Sequence, residues 1–278
     1  METREYTGQG LLTTPQELAN KLGQPNLRVI DTRPAELFAQ GHIPGAAHFD
    51  LFGISLIDTS PAPLKAFLAM IAHLFEMRGV DLDKEIVLYE ENSGMRAARG
   101  LWFLEYFGHQ KVSVLDGGFL AWTQAGCPVT TVAAPPKATE FKTAERRELL
   151  ATFEDVLKSL GKPGVRIVDT RGADEYMGRL VRAARGGAIP GAVHLEWTNN
   201  LDSTGRYKPE AELREMYRKL GVTPDKEAIP YCQGGYRAAH TYLALRLLGF
   251  PNVRNYLGSW KEWGDRVDLP IEKPWEKK

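Results

Sequence analysis

Cysteine is nearly missing from this chain: its 278 residues include two, Cys127 and Cys232. Two thiols make no disulfide framework, and they lack the spacing of a metal-ligand pair, so neither a small stapled scaffold nor a structural zinc site is expected. Net charge is missing too, because 35 Lys and Arg offset 35 Asp and Glu. No long-range field then draws the chain to nucleic acid or to a membrane surface, and neither is expected as a partner. No apolar run approaches the length of a membrane span. Met1-Glu2-Thr3-Arg4-Glu5-Tyr6 lacks the apolar core of a signal peptide. The histidines show no metal-binding spacing, and no cofactor is expected. These absences point to a cytoplasmic protein with both thiols free.

What is present is a globular composition, 43% hydrophobic and 25% charged, in a chain written twice. Arg28-Val29-Ile30-Asp31-Thr32-Arg33 returns as Arg166-Ile167-Val168-Asp169-Thr170-Arg171. His42-Ile43-Pro44-Gly45-Ala46-Ala47-His48 returns as Ala188-Ile189-Pro190-Gly191-Ala192-Val193-His194. Arg96-Ala97-Ala98 returns as Arg237-Ala238-Ala239, and Gly117 and Trp122 as Gly258 and Trp263. Two domains are therefore expected, at 1–132 and 148–278, joined by a linker over 133–147 whose Pro135-Pro136 suits an extended connector.

Within each copy short apolar runs alternate with helical patterns. Val29-Ile30, Ile86 to Tyr89 and Val112 to Leu115 read as buried strands, and Leu64 to Phe75 has helical spacing. Thr14-Pro15-Gln16-Glu17 carries the signature of a helix start. Such alternation predicts an α/β fold, a parallel sheet covered on both faces, with ligands bound beyond the carboxyl ends of the strands.

Cys232-Gln233-Gly234-Gly235-Tyr236-Arg237 lies at one such end, after the apolar strand Ala228 to Tyr231 and before an apolar-periodic helix from Ala238 to Leu248. The glycines free the backbone so that its amides can aim at the sulfur, and the positive end of the helix lies behind it. This is the layout of an anion cradle that lowers a thiol pKa and makes a nucleophile. Gln233 either donates its amide to the bound anion or faces solvent. Arg237 either stabilises the thiolate or pairs with a carboxylate at the domain seam, as Arg96 would in the other copy. Tyr236 either walls the pocket or covers the helix start. Cys127 has nothing near it to lower its pKa and reads as a packing residue.

The Asp-Thr-Arg after the first strand, the Ile-Pro-Gly-Ala turn, the cysteine loop and the late Gly-Ser-Trp together resemble the rhodanese family, in its tandem-domain sulfurtransferases. The resemblance implies two rhodanese domains, each a five-stranded parallel β-sheet flanked by α-helices, with only the second catalytic. In the first, the loop from Glu90 to Arg96 is one residue longer and sets Glu90 or Glu91 where Cys232 stands. The resemblance further implies that Cys232 takes a sulfur from a small anionic donor such as thiosulfate and passes it to cyanide or a thiol, with thioredoxin and glutathione among the thiols that fit. Arginines ahead of the second Ile-Pro-Gly-Ala turn would hold the donor: Arg179, with Arg182 or Arg185 as the second site. Asp169, Arg171, His48 and His194 recur between copies and read as fold-supporting. The usual histidine before that turn is Ala188 here, a departure at the entrance of the active copy.

Three other readings stand beside this one. Mercaptopyruvate sulfurtransferases share the tandem plan but carry a hydroxyl in the loop, which this loop lacks. Phosphatases of a related fold hold one more residue between cysteine and arginine than the four found here. A non-enzymatic sulfur-carrier or signalling module fits the first copy better than the second.

Overall fold

The structure, a computed structural model, describes residues 4–276, so Met1 to Thr3 and Lys277-Lys278 of the spans above lie outside the described residues. The first half runs β1 (Leu12–Thr13), α1 (Pro15–Lys21), β2 (Leu27–Asp31), α2 (Ala35–Gln40), β3 (Ala47–His48), α3 (Pro61–Glu76), β4 (Glu85–Tyr89), α4 (Met95–Tyr106), β5 (Val112–Leu115) and α5 (Gly118–Gln124). Its five strands are parallel in the order β1-β5-β4-β2-β3. The expected start of α1 is present as a capping box between Thr14 and Glu17.

The second half repeats the plan: β6 (Leu150–Ala151), α6 (Phe153–Ser159), β7 (Val165–Asp169), α7 (Ala173–Tyr176), β8 (Val193–His194), α8 (Glu210–Lys219), β9 (Glu227–Tyr231), α9 (Tyr236–Leu247), β10 (Asn255–Tyr256) and α10 (Ser259–Asp265). Here the expected five-stranded sheet is broken into β8-β7-β9 and β10-β6. Pro230 is the cause. The Ala228 N–H donates to Asn252 O on the β10 side. Two residues on, the next N–H facing that side would belong to residue 230, and proline has none. The ladder from β9 to β10 stops at a single bridge, Ala228 to Val253. At the matching place in the first half, Leu88 pairs with Val114.

In both halves a buried triad ties the end of the first long strand to the sheet centre. Arg171 forks onto Asp169 at 2.6–3.1 Å, and Tyr231 donates its hydroxyl to the same carboxylate. Arg33, Asp31 and Tyr89 repeat this arrangement. Each tyrosine oxygen also accepts the N–H of the isoleucine that opens the Ile-Pro-Gly-Ala turn. His48 and His194 each place Nε2 2.8 Å from the carbonyl of the triad's arginine. These residues support the fold, as their recurrence predicts.

The halves are not separate bodies on a free connector. α4 packs along α9, and one apolar cluster runs across the seam through Leu101, Trp102 and Phe103 on one side and Tyr242, Leu243 and Leu245 on the other. The 133–147 segment is extended but anchored, with Phe141 buried and the Ala144 and Arg146 N–H groups bound to α4-end carbonyls. Residues from Arg4 to Gly8 cross to the second half: Tyr6 donates to Tyr207 O and Lys208 O, and Gly8 to Leu247 O. The chain thus touches the second half before it enters β1 of the first. Among the described residues no helix is long and apolar enough to cross a membrane.

Candidate active site

Cys232 follows directly on β9 and is 1% exposed. Its carbonyl and that of Gln233 accept the N–H groups of Trp260 and Lys261 at the head of α10, both at 2.9 Å. The Gln233 carbonyl, turned away, leaves the Gly234 N–H pointing the other way, and the N–H groups of Gly234, Gly235 and Ala238 favour the anionic sulfur. Burial alone would raise the thiol pKa, but the charge of Arg237 and these three amides outweigh it and the net shift is downward. The two glycines do different work. Gly235 stands at φ 84°, where an added Cβ would also come 2.8 Å from Leu257 O. Gly234 is not left-handed; its need is room, because a Cβ there would meet Ser55 Oγ at 3.2 Å. The Cys232 N–H itself donates to Ser259 Oγ at 3.1 Å.

Arg237 has a carboxylate partner, though from α7 of its own half rather than from across the seam. It pairs with Glu175 through two bonds, at 2.5 and 2.9 Å, and also faces the sulfur. Burial works against its charge, but Glu175 and Cys232 hold its pKa above the ordinary value. Tyr236 covers the helix start and reaches across the seam, donating to Leu51 O at 2.7 Å and Ile54 O at 3.1 Å. Gln233 donates one N–H of its amide to Arg182 O at 2.9 Å, which ties it to the neighbouring loop.

The three donor-site arginines part company. Arg185 is withdrawn as an alternative: its guanidinium donates to the carbonyls of Gly264, Leu269, Trp263 and Arg266, sealing the end of α10. Arg182 is exposed, with Nε 3.9 Å from Glu175 Oε1, across that carboxylate from Arg237. Arg179 is exposed and holds Asp174 at 2.7 Å.

Several contributors lie outside the cysteine loop. Glu175, Ser259 and the 51–59 segment of the first half all border it, and Thr59 donates to Glu262 of α10. Ser259 is the middle residue of the Gly-Ser-Trp motif and could have been singled out there; Glu175 and the 51–59 segment had no signal, since only packing brings them to the loop.

The first half's loop settles on Glu90. Its carboxylate accepts the N–H groups of Arg96 and Ala97, the latter at 3.1 Å, where the other half's amides hold sulfur. Burial pushes its pKa up to about 7, against the pull of those amides. Glu91 lies outside and meets Arg33 at 3.4 Å. Cys127 is half-buried, and burial raises its pKa. A cleft of about 1120 Å³ is lined by Arg4, Tyr6, Asp116 and Arg206 among others; no cysteine lines it, and it lies apart from the site described.

A family profile described as the rhodanese-like domain matches the chain twice, over residues 14–125 and 152–266. A thiosulfate sulfurtransferase of Pseudomonas aeruginosa is 35% identical over 263 residues, spanning 94% of this chain and 97% of that one. A 3-mercaptopyruvate sulfurtransferase of Escherichia coli K12 is 34% identical over 273 residues, 92% of this chain and 95% of that one. The sulfur carrier protein TtuD of Thermus thermophilus is 33% identical over 286 residues, 96% and 98%. Among solved structures, YnjE superposes with a TM-score of 0.81 at 23% identity, over 96% of this chain and 69% of that one. Wild-type EanB gives 0.82 at 24%, over 98% and 70%. Likeness at that identity speaks to the fold.

Proposed function

This chain belongs to the rhodanese family of sulfurtransferases, and from that premise we propose that it moves a sulfane sulfur from thiosulfate to cyanide or a thiol through a persulfide on Cys232. The observation that carries the reading is a buried thiol ringed by three inward amides and a guanidinium. Those groups favour an anion on sulfur before, during and after transfer. The Cys232 thiolate attacks the outer sulfur of thiosulfate. The bond from that sulfur to the sulfonate breaks, its electron pair leaves with sulfite, and the outer sulfur stays on Cys232 as a persulfide anion. The acceptor's lone pair then attacks the outer sulfur, and the bonding pair returns to Cys232 as thiolate. Thiosulfate brings two negative charges and sulfite removes two, so the sulfur on Cys232 carries one both before the donor binds and after sulfite leaves.

Arg182 is the group we assign to the donor's oxygens, because its guanidinium is exposed beside Glu175 and Arg237. Arg179 reaches the donor only by releasing Asp174. Gln233 and Tyr236 fix the loop, and Gly234 and Gly235 shape it. The first half, with Glu90 in its cradle, serves as a non-catalytic partner. Cyanide or a thiol is the acceptor in this reading, with thioredoxin and glutathione among the thiols that fit.

A second reading has an observation of its own. Ser55 Oγ stands against Gly234, so a hydroxyl borders the loop after all, supplied by the other half. A hydroxyl at that place suits a keto-acid donor, whose carbonyl it can meet as a hydrogen-bond donor. Intact mass after incubation with thiosulfate and, separately, with 3-mercaptopyruvate decides. We expect one added sulfur from thiosulfate, removed by cyanide. Addition from mercaptopyruvate alone would favour the second reading, and addition from neither would leave a carrier loaded by another protein.

A further inference from the structure

Arg99 lies on α4 of the half that has no nucleophile, and its residue is 0% exposed. Its Cζ stands 3.7 Å from the centroid of the Tyr236 ring in the cysteine loop. Only Nη1 finds an acceptor, Leu51 O at 3.3 Å. Nε and Nη2 are buried without a hydrogen-bond partner. No carboxylate pairs with it among the described residues; the groups that favour its charge against burial are Tyr236 and Cys232. A guanidinium stays protonated in proteins, so this is a cation held out of water with an anion missing.

The repeat shows that the scaffold does not require a charge at this place. Arg96-Ala97-Ala98-Arg99 on α4 matches Arg237-Ala238-Ala239-His240 on α9. Because α4 and α9 pack along each other, each sends the last residue of that run into the other half's loop. His240 meets Ser93 O at 2.9 Å, in the loop that Glu90 fills. Burial lowers the His240 pKa to about 3, leaving it neutral there. The neutral side chain thus faces the loop without a thiol, and the permanent cation faces the loop with one. Arg237 favours the anion from close by, but it is paired with Glu175 through two bonds, so the two together bring no net charge.

We propose that Arg99 supplies a buried, unpaired positive charge that helps offset the anionic sulfur on Cys232, both as thiolate and as persulfide, acting through space beside the Tyr236 ring. It is a positioning residue, since no atom of it bonds the sulfur. The proposal needs Cys232 to be the nucleophile but is indifferent to the donor. The other charged or titratable groups around the loop are accounted for. Arg237 faces Glu175, which also meets Arg182; Arg96 faces Asp50; Glu90 faces its own amides; Lys261 faces Asp265; Glu262 faces Thr59 and Tyr256.

The test is the pH midpoint of the Cys232 thiolate, read as ultraviolet thiolate absorbance minus that of the same protein carrying Cys232→Ser. It needs no sulfur transfer, so it fails separately from the catalytic reading. Arg99→Gln and Arg99→His should move the midpoint up, so that the thiolate fraction near neutral pH falls about tenfold for each unit moved. Arg99→Lys should restore most of it. A merely structural residue would lower thermal stability in all three and leave the midpoint in place. If Arg99→Gln does not fold, Arg99→His carries the test alone, because α9 shows this helix pair accepting histidine at the matching position. An unchanged midpoint in a folded neutral variant overturns the proposal.

Discussion

At Cys232 the competition is between burial, which opposes a charge, and three amides with a nearby guanidinium, which favour one. The amides win because they are fixed before the charge forms, so no reorganisation is needed as the thiolate appears. Cys232→Ser should therefore abolish sulfur transfer in a steady-state assay while circular dichroism stays native, and Cys127→Ser should keep most activity. Loss of activity in the Cys127 variant alone would move the nucleophile. At the donor site, Arg182→Ala should raise the thiosulfate KM more than it lowers kcat, a loss on the order of 1.5–3 kcal/mol if its bond to the donor is charge-assisted. Arg179→Ala should do less, since its exposed pair with Asp174 is screened by water. Equal effects would put both arginines on the donor.

Glu90 makes the opposite choice from Cys232. Its pKa is raised from 4.5 to about 7, so the folded protein holds a proton there that the unfolded chain has lost. Stability from this group is therefore full below about pH 4.5 and declines as pH rises to about 7. The decline approaches roughly 3 kcal/mol at about 1.4 kcal/mol per pH unit. Glu90→Gln keeps an acceptor for the two amides and removes the titration. Denaturant melts should find it no more stable than the native protein at pH 4, and more stable at pH 8. Parallel pH profiles for the two proteins would contradict this.

At the scale of elements, the catalytic loop depends on a turn that one residue type permits. Gly235→Ala would add strain at φ 84° and set a methyl against Leu257 O. We expect a loss of at least about 1 kcal/mol in stability together with a higher thiol pKa, read by thermal melting and thiolate absorbance. A stability loss with the thiol unmoved would mean that the Gly235 amide does not hold the sulfur. Much of this element was legible in the sequence: the cysteine, the glycine pair and the arginine are neighbours along the chain, and the repeat fixed their place at a strand end. The break in the second sheet was legible as well, in Pro230, though its consequence depends on which side the lost N–H would face. What sequence could not place were the groups brought by packing rather than by neighbourhood. Glu175 lies 57 positions from Cys232, and Ser55 and Arg99 come from the other copy. Nothing in a residue's own spacing announces which loop it will face across a seam.

For the molecule as a whole, a single apolar cluster crosses both halves, so neither half has a finished core without the other. Calorimetry should show one transition, with calorimetric and van't Hoff enthalpies in agreement. Two resolved peaks would mean that the seam is a contact rather than a core. The crossing of residues 4–8 has a consequence in time. Tyr6 bonds to Tyr207 and Lys208, 201 and 202 positions downstream. On a ribosome adding about 5–20 residues each second, that first stretch waits roughly 10–40 seconds for its partners to emerge. Through that interval the nascent first half offers the α4 face with Trp102 and Arg99 uncovered, and a chaperone that recognises such a face has its opportunity then.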